Sequence, residues 1–385
     1  MPPGTGRPRD DAVTDTTTTG RALVDDASHR TGASVWWEAR ARPTRLPRTW
    51  LLGAGAVATG AVLAAMALGP VAMPPDQVAR VLLDRVPGLE VASSLTPLQA
   101  SIVTEVRAPR AVLAFLVGAL LAVSGGAFQG VFRNPLADPY LLGAASGAGL
   151  GVTVVIVGAG GALGPATGAV PPAAFAGAVI AVAFAYAVGV SADGLRSNGS
   201  LILAGVAVAA LCTALQTFLL QRDAEAIRDV YAWLLGRLNV AGWSDVRLLL
   251  PYAAITLVVI LLNASRLDVL AVGDREAKAL GARPGRIRLV VVGAATFGVA
   301  AAVAVSGLIG FVGIIVPHAV RLRSGAGYGR VLPLSALYGG AFLCLADLVA
   351  RTVLAPAEVP IGVITAVVGA PFFLLVMRAS RPVGL

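Results

Sequence analysis

The sequence predicts an all-α integral membrane protein of about ten transmembrane helices, and three observations carry that prediction. The chain is too apolar to dissolve: of its 385 residues, 57% are hydrophobic and 13% charged, whereas a soluble domain carries roughly 25% charged residues. Its mean hydropathy is +0.80. Uncharged runs of about 20 residues recur from Trp50 onward, which is the length at which a helix crosses a hydrocarbon core. The arginines collect between these runs. A net charge of +9 would otherwise point to nucleic acid, but in this placement it acts as an orientation signal.

Taken in order, residues 1–49 are rich in Thr, Arg and Asp and have no apolar period. They are expected to form a disordered cytoplasmic tail, followed by a membrane domain over 50–385. The expected spans lie near 50–69, 111–132, 140–160, 173–192, 201–220, 248–265, 289–306, 308–320, 332–350 and 361–377. The stretch 289–320 is long for one span and short for two, and "SGLIGFVG" (306–313) marks a break within it. Arginine placement decides the parity. Arg40, Arg42, Arg45 and Arg48 precede the first span, which puts the N-terminus in the cytoplasm. With two elements in 289–320, 21 of the 30 Lys and Arg residues fall on the cytoplasmic side. Ten spans with both termini inside is therefore the expected topology.

Within the spans, Gly143, Gly147 and Gly151 stand four apart, the small-residue spacing that lets membrane helices approach closely. "GAASGAGLG" resembles a dinucleotide loop only faintly, because no strand precedes it and no acid follows at the needed distance. Cys212 and Cys344 lie inside apolar runs and read as packing residues. The first apolar run lacks a cleavage site, so no signal peptide is expected.

"RNPLADPYLLG" (133–143) interrupts this apolar pattern. Proline after Asn134 and after Asp138 removes two amide donors and turns the preceding residues away from helix. Irregular backbone near a membrane interior survives where protein buries it or where it lines a watery cavity. The segment reads either as a pathway-lining turn or as a plain connection. Asp347 and Arg351 are four residues apart with the acid first, a spacing that favours an ion pair on one helix face.

These motifs carry a family resemblance. "RAPRAVLAFLVGALLAVSGGAFQGVFRNPLADPYLLGAASGAGLG" (107–151) resembles the FecCD/BtuC-like permeases, the membrane subunits of type II ABC importers for iron–siderophore chelates, haem and cobalamin. Matching blocks follow in order: "LILAGVAV" (201–208), "WLLGRL" (233–238), "GDREAKALGA" (273–282), "GLIGFVGIIVPHAVRL" (307–322), "LADLVAR" (345–351) and "EVPIGVITAVVGAPFFLLVMR" (358–378). The resemblance implies a multi-pass subunit of a bacterial plasma membrane. It also implies a second permease subunit, two ATPase subunits and an extracytoplasmic solute-binding protein as partners. Nucleic acid has no part in it.

By the same resemblance, Asn134 and Leu136 sit at the cytoplasmic gate of the translocation path. The segment with Gly273, Asp274, Glu276, Ala277, Lys278, Leu280 and Gly281 is implied to be the helix that couples to the ATPase. Its own pattern agrees with a short helix: glycines at both ends, acids early and Lys278 late. Arg107, Arg110 and Arg351 match arginines that dock the binding protein. In place of the Asp-His-Arg-like run the family usually has before the ninth span, this chain has Gly327, Tyr328 and Gly329. No GxxxxGK[ST] loop occurs in the sequence, so the chain is expected to be a transport subunit and not an enzyme. It is expected to hold no cofactor, with ATP and Mg²⁺ bound by the partner ATPase. His318 has only His29 as a fellow histidine, which argues for a structural role and against a metal site.

Two other classes fit the sequence less well. An ion-coupled secondary transporter needs ionisable residues at the bilayer midplane, and Asp347, with Arg351 beside it, is the one candidate. An intramembrane enzyme needs clustered His, Asp or Glu, which the spans do not show.

Overall fold

A computed structural model describes residues 46–158, 168–193, 198–239 and 241–379. The expected disordered tail falls almost wholly outside these residues. Among the described residues the first helix, α1, runs Arg48–Ala67. A short helix α2 (Pro75–Asp84) follows. Then α3 (Pro97–Ile102) passes through one π-helical turn, Val103–Arg107, into α4 (Ala108–Phe132). Thr96 starts α3 with a reciprocal cap: its hydroxyl accepts from the Gln99 amide while its own amide donates to the Gln99 side chain.

A 3-10 turn at Pro139–Leu142 leads to α5 (Ala144–Gly158). Next come α6 (Val170–Asp193), α7 (Asn198–Gln221), α8 (Ala224–Leu234) and α9 (Trp243–Leu262). The chain continues through α10 (Ala264–Val272), α11 (Asp274–Ala279) and α12 (Pro284–Ser306). It ends with α13 (Val312–Ser324), α14 (Tyr328–Ala350) and α15 (Ile361–Ala379).

All ten expected spans are helices: α1, α4, α5, α6, α7, α9, α12, α13, α14 and α15. The doubtful stretch is two elements, separated at Gly307–Phe311, where both of those residues adopt positive φ (70° and 69°). Trp233 and Gly236 pack against Gly307, and the Arg237 amide donates to Ser306 O at 2.7 Å. The break therefore has protein partners for its backbone.

The helix α4 is the axis of the bundle. In the Pro97–Phe132 segment, 83% of the most apolar window is buried, against 28% for α7 and for α9. Glycines bring its neighbours to backbone contact. A Cβ at Gly118 would lie 2.2 Å from Gly339 O of α14, and one at Gly125 would lie 2.1 Å from Gly313 O of α13. Without a hydrophobic drive between helices in lipid, this close approach is what supplies packing energy. The outer helices keep large apolar side chains on open faces, such as Leu203 and Phe218 of α7. Those faces suit lipid or another apolar subunit.

Candidate functional site

The turn after α4 is not a surface loop. Arg133 ends the helix in the left-handed region (φ 49°). The Asn134 carboxamide then accepts from the Leu136 amide at 2.9 Å, and the Asp138 carboxylate accepts from the Tyr140 amide at 2.8 Å. These two side-chain turns satisfy donors where proline interrupts the helix. Tyr140 donates its hydroxyl proton to Ile309 O at 3.2 Å. Asp138, Pro139 and Tyr140 line one small cavity together with Leu121, Val299, Ile309 and Gly313. Leu121 is eleven residues before the end of α4, roughly 16 Å back along the helix. The segment therefore folds back into the bundle before α5 begins at Ala144. Leu141 O lies against Gly205 of α7 so closely that a Cβ there would be 2.2 Å away. Asn134 and Leu136 stay half-buried at the mouth of this re-entrant turn.

The second segment, α11, is bounded by Gly273 (φ 139°) and Gly281 (φ 80°), conformations that side-chain-bearing residues rarely adopt. A Cβ at Gly273 would fall 2.1 Å from the Glu276 carboxylate. Glu276, Lys278 and Leu280 are exposed, and Leu280 and Val272 show 70% and 66% of their surface outside any expected span. Ala277 is fully buried. It packs α11 onto the chain itself and cannot serve as a contact to another subunit. Asp274 receives a forked pair from Arg288, at 2.7 and 2.9 Å, and has Arg133 at 3.6 Å. The sequence reading counted both arginines for topology and missed this pairing.

Between the two segments lies a further polar chain. Gln129 donates to Gly313 O at 3.0 Å and accepts from Arg321 at 2.9 Å. The Arg321 guanidinium stands 5.7 Å from the centre of the Tyr328 ring, which fills the space beside Gly130. The Tyr328 amide donates to Asp268 of α10 at 2.8 Å. Burial pushes the Asp268 carboxyl above its ordinary range, and this hydrogen bond opposes the shift. Residues 325–327 thus make the short α13–α14 connection, with Tyr328 at the start of α14 as its packed anchor. His318 meets Phe372 edge-on at 6.0 Å. Among the described residues no group of His, Cys, Asp and Glu could hold a metal ion.

At the N-terminal end of α4, the outer end in the expected topology, the arginines expected to dock a partner already have partners. Arg107 is 7% exposed and donates to Met66 O at 2.9 Å, Ala67 O at 3.1 Å and Val71 O. It caps the C-terminal carbonyls of α1, where a cation also suits the helix dipole. Arg351 donates to Ala65 O of the same helix end. Arg110 grips Asp347 (2.9–3.1 Å) and Glu358 (2.9 and 3.0 Å). The expected Asp347–Arg351 pair is the looser one, at 3.7 Å. Asp347 is held chiefly by an arginine from another helix, because the bidentate fork is the stronger geometry.

Residues 57–379 match the FecCD transport family. The cobalamin import system permease protein BtuC of Halobacterium salinarum is 43% identical over 284 residues, 72% of this chain and 73% of that protein. The hemin transport system permease protein HmuU of Yersinia pestis is 42% identical over 288 residues, 72% of this chain and 83% of that protein. Among solved structures, an inward-facing metal-chelate type ABC transporter superposes with a TM-score of 0.73 at 29% identity, over 86% of this chain and 100% of that one. With the family model matched over residues 57–379 and relatives 43% and 42% identical over most of the chain, the chain belongs to the FecCD family and is a multi-pass permease subunit of an ABC importer.

Proposed function

We propose that this subunit imports a ferric chelate of the siderophore type across a bacterial plasma membrane, with both termini in the cytoplasm. It pairs with a second permease subunit and receives its cargo from an extracytoplasmic binding protein. Two separate ATPase subunits bind ATP and Mg²⁺ and drive the cycle through α11. The observation that carries this reading is the meeting of the re-entrant turn and α11 at one carboxylate, Asp274. A part built to be pushed lies against a part built to close a path.

A caged cargo fits the chain better than a bare ion, since the described residues offer no cluster of metal ligands. The cobalamin and hemin relatives favour a corrin or porphyrin chelate as the second reading. In this scheme Asn134 and Leu136 close the cytoplasmic end of the path. Glu276, Lys278 and Leu280 contact the ATPase. Gly273 and Gly281 set the pose of α11. Docking of the binding protein falls to the rim of the outer cluster, where Arg110 and Glu358 reach the surface.

The test is uptake into liposomes holding the permease with its cognate ATPase and binding protein. Ferric hydroxamate, hemin and cyanocobalamin would be offered separately, with and without MgATP. ATP-dependent uptake of the ferric chelate alone is expected. Uptake of only a tetrapyrrole would move the assignment to the second reading, and uptake without the ATPase would overturn the importer mechanism.

A further inference from the structure

We propose that the Arg133–Asp274 contact is the joint through which movement of α11 reaches the gate turn, with Arg133 as its positioning residue. This rests on the functional reading above, in which α11 meets the ATPase and the turn closes the path.

Three elements converge on the Asp274 carboxylate: α11 itself, the second turn of α12 through Arg288, and the start of the gate turn through Arg133. The two arginines hold it differently. Arg288 makes a short fork from a side chain that is 3% exposed, so α11 and the root of α12 form one body. Arg133 makes a single approach at 3.6 Å from a side chain that is 36% exposed. An exposed pair of this kind adds little stability, so it can slacken and re-form during a cycle without unfolding its surroundings.

Arg133 also occupies the position from which a pull would travel. It is the residue at which the backbone leaves α4, in a left-handed conformation that side-chain-bearing residues seldom hold. Asn134 is next, and its side chain fixes the Leu136 amide at 2.9 Å. A displacement at the Arg133 side chain therefore reaches Leu136 within three residues and one hydrogen-bonded turn.

The test uses the full-length chain assembled with its cognate ATPase in lipid nanodiscs. Leu136→Cys reports the gate and Leu280→Cys reports contact with the ATPase. A membrane-impermeant maleimide probes each, with and without MgATP plus vanadate. The native Cys212 and Cys344 are buried, so background labelling is low. In the otherwise unaltered chain, trapping the nucleotide is expected to change the Leu136→Cys labelling rate at least fivefold. With Arg133→Gln that response should fall below twofold, while protection of Leu280→Cys by the ATPase stays as before. Arg133→Lys, which keeps the charge, should restore at least half of the response.

A gate response in Arg133→Gln equal to that of the parent chain would overturn the joint. Failure of Arg133→Lys to restore the response would also overturn it, because the position would then matter for shape alone. If Leu280→Cys is never protected by the ATPase, even in the parent chain, the coupling role of α11 is what fails.

Discussion

At the N-terminal end of α4, the outer end in the expected topology, three arginines and two carboxylates share one site in which Asp347 is 1% exposed and Arg351 5%. At its inner end Asp274 is shared by two arginines, and the side chains of Asp274 and Arg133 are 29% and 36% exposed. The outer cluster ties α1, α4 and α14 together with short, multiple bonds in a dry setting, where a lost partner leaves a charge stranded. The inner cluster joins the same helix to α11 with one tight fork and one loose contact. Charge acts as a clamp where it is buried and held by several short bonds, and as a movable joint where water can take over one partner.

The largest effect is expected from breaking the clamp. Asp347→Asn leaves Arg110 and Arg351 without their buried carboxylate and should cost about 3–5 kcal/mol. Thermal unfolding of the detergent-purified subunit would show it, and a small change would mean that the outer cluster is as slack as the inner one. Arg107→Ala strips the donors from the Met66 and Ala67 carbonyls at the end of α1 and from Val71 O beyond it, and should cost about 2 kcal/mol. The same measurement applies, with trypsin cleavage after α1 as a local readout. The smallest change in stability is expected at the joint. Arg133→Gln should alter unfolding by less than about 1 kcal/mol, even though it is expected to disconnect the gate. If Arg133→Gln melts as far below the parent chain as Arg107→Ala does, the contrast between the two ends of α4 fails.

The contrast also explains what was readable beforehand. The spans were legible because about 20 consecutive uncharged residues have one stable form in lipid. The bounds of α11 were legible because glycine at positive φ and an acid-first, base-last pattern are local signals. The short helix α8 was not anticipated, although Asp223 caps it by accepting from the Glu225 and Ala226 amides at 3.1 Å. With Glu225, Arg228 and Asp229 inside it, no apolar window reveals it. The expected Asp347–Arg351 pair followed a sound local rule, but Arg110, 237 positions away, offers the better fork. Ala277 looked like a contact residue in its motif, whereas its burial in the folded chain makes it packing.

Composition and span length were enough to specify a helical, multi-pass membrane protein, and arginine placement was enough to set the expectation of an N-terminus inside. These signals are read within a single helix or loop against the bilayer, and need no knowledge of neighbours. The motif order carried the family for the same reason. Only the tertiary structure decided that the Asn134–Gly143 turn climbs back beside Leu121 and Gly313. It alone decided that Arg107 and Arg351 cap α1, and that Arg133, Asp274 and Arg288 share one site. Each of these depends on which helices glycine allows to touch, and on which guanidinium reaches a carboxylate first. Such choices are made between segments far apart in the chain, where sequence spacing carries no distance.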